Sequence, residues 1–261
     1  MFETARYEAK RRLRGTAILA LGLSAYAAFI VWYFTIWEGA DIEEMFADMP
    51  PAMIEAFGIA ELGTIEGFLG GQIYTFLWLL GMGIYFAYAG AGLVANDIER
   101  GRMDLVGVFP VSRARLLSEK FAALLVPLIG LNVIMALVIF GFVVAIGESI
   151  NVTYLLLAHL LSIPYLLVCA AIGLVLSVIV DRASIAERGA IGLMFLFWLA
   201  QSVISGSGDY SWLGYFSPTY YYEPTPVLID GSYELVHSIV LVGMFLVLFT
   251  SAVVLFKRRD L

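Results

Sequence analysis

Residues 152–180 read VTYLLLAHLLSIPYLLVCAAIGLVLSVIV, a run of 29 positions without an Asp, Glu, Lys or Arg. A helix needs roughly 20 mostly apolar residues to cross a bilayer, and this run exceeds that length. Its apolar residues are continuous, whereas a barrel strand alternates in roughly ten-residue segments, so the run reads as a membrane helix. Working outward, five more runs of this kind lie at about 16–37, 71–95, 121–146, 189–205 and 235–256. Pro127 and Pro164 fall inside two of the six and read as kinks, which membrane helices tolerate when neighbours satisfy the freed carbonyl. Composition agrees. The chain is 61% hydrophobic and 14% charged, with a mean hydropathy of +0.91, where a soluble domain averages roughly 45–50% apolar and about 25% charged. The expected fold is an all-α integral membrane protein with six transmembrane helices in a single domain over residues 1–261.

Charge gives an independent test of that count. All 15 Lys and Arg fall in four segments: the N-terminus (Arg6 to Arg14), the loop after run two (Arg100 to Lys120), the loop after run four (Arg182, Arg188) and the C-terminus (Lys257 to Arg259). The three other loops hold no basic residue and 13 of the 22 acids. A missed or extra helix would scramble this sorting. By the positive-inside rule both ends are expected in the cytoplasm, N-in and C-in, in a cell membrane. The first run is read as a retained helix and not a signal peptide, because it continues through Trp32 and Trp37. The net charge of −7 then divides into about +6 inside and −13 outside. An acid-rich, lysine-poor exterior suits a halophilic organism, where salt screens self-repulsion.

The acidic loops suggest two interfacial segments. Residues 38–70 mix Pro50 and Pro51 with Met45, Phe46, Met49 and Phe57, the pattern of short amphipathic helices on the outer interface. Residues 206–234 carry Trp212, Phe216 and Tyr220 to Tyr222 among prolines, which suits a headgroup-level belt or a segment dipping back into the membrane. Asn151 either caps the fourth helix or forms a glycosylation sequon with Thr153. Gly83, Ala87 and Ala91, spaced by four, form a small-residue stripe for close helix packing.

Several chemistries lack their residues. None of the three lysines follows a glycine, so no G-x-x-x-x-G-K-[ST] phosphate loop exists in the chain. No Asp, Glu, Lys or Arg lies mid-membrane, where ion-coupled carriers and intramembrane proteases need such groups. The polar candidates for a substrate pathway are His159, Asn132 and Gln201. His159 is expected to make an interhelical hydrogen bond. One cysteine and two histidines leave little for a metal site, and none is expected.

The longest basic loop runs from Asn96 to Lys120. Asp97 can cap a short helix over about 97–110, which Pro110 ends, and Ser112 can cap the next helix as it enters the membrane. A short helix with one apolar face can dock in a groove on a soluble partner; alternatively the loop's arginines bind lipid phosphates. In the next basic loop Ser184 and Glu187 form a capping-box pattern ahead of helix five.

These residues resemble the membrane subunits of ABC-2 type transporters, the permeases of type-2 ABC exporters. In that family the loop between helices two and three reads E-x-G-T-L-E, a leucine-rich stretch, P-V-S-R, then a lysine. Glu99, Gly101, Pro110-Val111-Ser112-Arg113 and Lys120 match in order and spacing. Asp104 stands at the second glutamate, and Arg102 and Met103 replace Thr-Leu. The C-terminal Phe256 to Leu261 is also similar to the family's ending.

The resemblance implies a dimer with a second copy or a related subunit, bound to two cytoplasmic ATPase subunits that hold ATP and Mg; this chain itself takes no cofactor, and no nucleic acid. It implies that residues 97–110 are a coupling helix, with Asp97, Glu99, Gly101, Arg102, Asp104, Pro110, Ser112 and Arg113 as ATPase-coupling residues. Arg182, Ser184, Glu187 and Arg188 are then a second cytoplasmic contact, and residues 2–14 an interfacial amphipathic helix. The expected function is the membrane half of an ATP-driven exporter, itself without enzymatic activity. Its cargo is expected to be amphipathic or lipid-like more than a bare ion. The alternatives are a self-contained channel or facilitator and, less suited to these residues, a membrane-embedded enzyme.

Overall fold

The structure, a computed structural model, describes residues 3–37, 63–101, 112–204 and 208–259. Among them it contains helices and turns and no strand, and six helices are long and apolar enough to cross a membrane. These are α1 (Glu3–Trp37), α2 (Ile65–Glu99), α3 (Arg113–Ala145), α4 (Val152–Ile179), α5 (Ala183–Ile204) and α6 (Leu235–Arg258). The protein is thus a multi-pass membrane protein, as the apolar runs predict.

Every spanning helix but α4 extends past its apolar run into charged turns, because backbone hydrogen bonding continues where hydropathy falls. Residues 3–14 accordingly continue into the first span without a break. α2 starts at Ile65, where the Thr64 hydroxyl accepts from the Gly67 N–H at 3.1 Å. Asn151 caps α4, its Oδ1 accepting from the Thr153 and Tyr154 N–H groups at 2.9 and 3.3 Å. The amphipathic stretch expected from residue 38 onward lies outside the described residues up to 62.

The two prolines act differently. Pro127 interrupts α3, which turns at Ala123–Leu124 between Arg113–Ala122 and Leu125–Ala145; the ring displaces the carbonyl four residues back, that of Ala123. Pro164 sits within an unbroken α4. α2 has its own irregularity, a π-helical stretch over Gly70–Met82, in which the Thr75 hydroxyl donates to the Gly70 carbonyl at 3.0 Å. π-helical turns are rare and recur at functional sites.

α4 is the axis of the bundle. It packs against α2, α3, α5 and α6, while α1 packs along α3. The closest approach is between α2 and α4. A Cβ on Gly173 would collide with the Ala87 carbonyl, and one on Gly90 with the Ala170 carbonyl. The predicted stripe therefore faces Gly173: Ala87 and Ala91 are fully buried there, and the Ser177 hydroxyl accepts from the Val94 and Ala95 N–H groups at 2.9 Å. α6 buries Leu241, Ala252 and Phe256 and leaves much of its surface open, as expected where hydrocarbon or another chain covers a helix.

Candidate functional site

The basic segments assemble at one end of the bundle. α2 persists through Glu99, and Gly101 takes φ +62°, the left-handed conformation that glycine allows past a helix end. Asp97 therefore belongs to the last turn of α2 and does not cap a new helix, correcting the expectation for that residue. Its carboxylate instead takes Lys120 of α3, which also approaches Glu8 of α1 at 3.9 Å. Three spans meet on one ammonium.

Glu99 reaches a fourth element. Its Oε2 accepts from the Ala183 N–H at 3.0 Å, which satisfies one of the unpaired donors at the start of α5. The expected Ser184–Glu187 capping box does not form. The Arg182 carbonyl already receives the Ile185 and Ala186 N–H groups, so α5 starts before Ser184. Glu187 turns inward and accepts from Asn96 Nδ2 at 2.9 Å. Partners on α2, distant in sequence, replace the local cap. Arg182, Ser184 and Arg188 are exposed beside them.

The other side of this end is also tied. Ser112 caps α3 as predicted, its hydroxyl accepting from the Arg115 N–H at 3.3 Å. Arg113 donates to the Arg259 carbonyl, while the Arg259 guanidinium donates to the Val178 carbonyl and to Asp181. Arg102, Asp104, Pro110 and the body of the expected coupling helix lie outside the described residues. Both flanks of that loop, Glu99 and Arg113, are thus bonded to other spans or to the C-terminal segment.

Deeper in the bundle the structure joins two of the three polar candidates. His159 Nε2 lies 2.9 Å from the Tyr74 hydroxyl, and Nδ1 lies 3.2 Å from Asn132 Oδ1. The same Oδ1 accepts from the Ser162 hydroxyl at 2.9 Å, and Asn132 Nδ2 donates to the Leu128 carbonyl at 2.8 Å. With Asn132 Oδ1 as acceptor, His159 Nδ1 carries the proton and Nε2 receives the phenol hydrogen, so the neutral ring is satisfied at both nitrogens. The Trp78 ring meets His159 edge-on at 4.9 Å. His159 is the interhelical link expected of it, between α2, α4 and α3.

Gln201 is elsewhere. It lines a cavity of about 250 Å³ at the acidic end, together with Trp198, Tyr222 and Glu223. Tyr222 separates that cavity from the histidine network. Its ring stacks on Tyr165 at 5.5 Å, and its hydroxyl donates to the Ala158 carbonyl at 2.9 Å. Burial pushes that hydroxyl up from its ordinary pKa, so it remains a donor. Within residues 206–234, Tyr222 is buried against α4. Tyr74, Trp78, Tyr165 and Tyr222 had no distinguishing signal among the chain's 14 tyrosines and 5 tryptophans, since only the folded partners separate them from interfacial aromatics.

Among the described residues no three His, Cys, Asp or Glu side chains come together as metal ligands. The arrangement offers instead a bonded lattice at the basic end and an uncharged polar network within the bundle. In comparisons with known proteins, a family model described as ABC-2 family transporter protein matches residues 42–261. A search of curated proteins returns no match.

Proposed function

Since the chain belongs to the ABC-2 family of transporter proteins, we propose that it is the membrane subunit of an ATP-driven exporter, coupled to a separate cytoplasmic ATPase. The observation that carries the coupling is the anchoring of both flanks of the loop after α2. Glu99 holds the start of α5 and Arg113 holds the C-terminal segment, so a displacement imposed on the loop reaches α5 and α6 directly. Packed elements transmit such shifts because interiors are dense and stiff.

In this reading the basic end faces the cytoplasm, and Asp97, Glu99, Gly101, Arg102, Asp104, Pro110, Ser112 and Arg113 form the coupling region. Arg182, Ser184 and Arg188 add a second exposed contact, with Glu187 fastening it to α2. A second copy or a related subunit completes the permease. ATP and Mg act in the partner. His159 and Asn132 within the bundle, and Gln201 in the cavity beyond Tyr222, are the uncharged polar groups offered to cargo, which suits an amphipathic molecule better than a bare ion.

The test is to purify the tagged chain from native membranes in mild detergent. A stoichiometric ATPase should accompany it, and Glu99→Ala or Arg113→Ala should lower both that association and nucleotide-dependent transport. Variants at wild-type levels would remove the coupling assignment. A chain that purifies alone and passes solutes in liposomes without nucleotide would instead be a channel or facilitator.

A further inference from the structure

A cavity of about 250 Å³ opens at the basic end, between the first turns of α1, the last turns of α2 and the start of α3. Its charged lining is Glu8, Arg11, Arg12, Asp97, Arg100 and Lys120: four cations against two carboxylates. Both carboxylates turn toward the one ammonium of Lys120, so the excess positive charge lies with the three arginines. Arg11 and Arg100 are exposed at the mouth, and Arg12 is half-buried. The Arg12 Nε is shut off from solvent and has no hydrogen-bond partner among the described residues.

A buried charged donor without an acceptor is costly, and a cavity several times the roughly 30 Å³ share of one liquid water stands beside it. A guanidinium presents its donors in a planar fork that fits the oxygens of a phosphate. The site lies where α1 and α3 pass from charged turns into apolar spans, the level at which headgroups meet a membrane protein, and basic pockets between spans recognise anionic headgroups there.

We propose that this cavity binds a phosphate group, that of an anionic lipid in the adjoining leaflet. Arg12 would receive the phosphate from within, with Arg11 and Arg100 closing over it. Lys120 stays with its carboxylates and fixes the wall. The occupied site would pin α1 to α2 and α3. This inference stands apart from the transport reading, because it requires neither an ATPase nor a cargo.

The experiment uses the full chain, with whatever co-purifies, delipidated and held in neutral detergent. Phosphatidylglycerol, phosphatidylcholine or inorganic phosphate is titrated in while the melting temperature is followed. Phosphatidylglycerol should raise it by a few degrees and saturate at a low lipid-to-chain ratio, with phosphatidylcholine inert and inorganic phosphate weaker. Arg12→Gln and Arg100→Gln should each weaken the response about fivefold, the worth of one basic residue near an anionic surface. The pair Lys257→Gln and Arg258→Gln, at the same end but outside the cavity, should leave it unchanged. If Arg12→Gln does not fold, Arg100→Gln at the exposed mouth carries the test. Equal weakening by the C-terminal pair, or no weakening by either cavity variant, would overturn the site in favour of diffuse surface charge. A full response to inorganic phosphate that lipid does not increase would overturn the lipid as its source.

Discussion

At His159 two ring nitrogens meet two different partners, a phenol that donates and an amide oxygen that accepts. The neutral ring satisfies both, so the residue ties three helices without placing a charge in the bundle. Removing it strands the Tyr74 hydroxyl in an apolar interior and leaves Asn132 Oδ1 with the Ser162 hydroxyl alone. Stranded buried groups cost about 1–3 kcal/mol, while interhelical hydrogen bonds within membranes average roughly 0.6 kcal/mol. His159→Phe should therefore destabilise the protein by about 1–2 kcal/mol in thermal melts in detergent. His159→Gln, which keeps a donor and an acceptor, should recover part of the loss; equal stability of all three proteins would show that the network contributes nothing. Glu99 and Glu187 show how context assigns one side chain two tasks: one caps α5 from α2, and the other reaches from α5 back to α2.

Between elements, the close α2–α4 contact depends on missing side chains. Gly173 lies against Ala87 and Ala91, and Gly90 against Ala170, so backbone meets backbone with little between. A single added methyl at Gly173 has nowhere to go and must part the helices. Overpacking of this kind typically costs about 1–3 kcal/mol, and Gly173→Ala should lower the melting temperature accordingly. Gly243→Ala on α6, where a Cβ meets nothing within 4 Å, should be neutral or slightly stabilising, since alanine favours helix by up to about 1 kcal/mol. Matching behaviour of the two variants would mean that the α2–α4 seam is not tightly packed. The π-helical stretch of α2 sits in the same helix and presents Tyr74 and Trp78 to His159, so seam and polar network share one element.

On the scale of the whole molecule, charge is sorted along the sequence, and the positive-inside rule predicts the basic end in the cytoplasm. Cys169 is fully buried, so the native chain should give little background with a membrane-impermeant thiol reagent. On intact cells, Ser232→Cys at the acidic end should be labelled. Ser112→Cys at the basic end should be labelled only after permeabilisation. The opposite pattern would invert the topology and remove the loop after α2 from the side where ATP is.

The number of spans, their order and the segregation of basic from acidic loops were legible in the chain itself, because crossing hydrocarbon is a local demand on roughly 20 successive residues and topology follows loop charge. Capping by Ser112 and Asn151 was legible for the same reason, since donor and acceptor lie within three residues. The capping box at Ser184 and the cap at Asp97 were not, because Asn96 and Lys120 compete for those carboxylates from other helices. Nor could the chain alone distinguish Tyr222 in the bundle from its neighbours in the same aromatic run, or gather Arg12 and Arg100 around one cavity. Such pairings depend on which helix faces lie together in space, and periodicity along a single helix does not encode that.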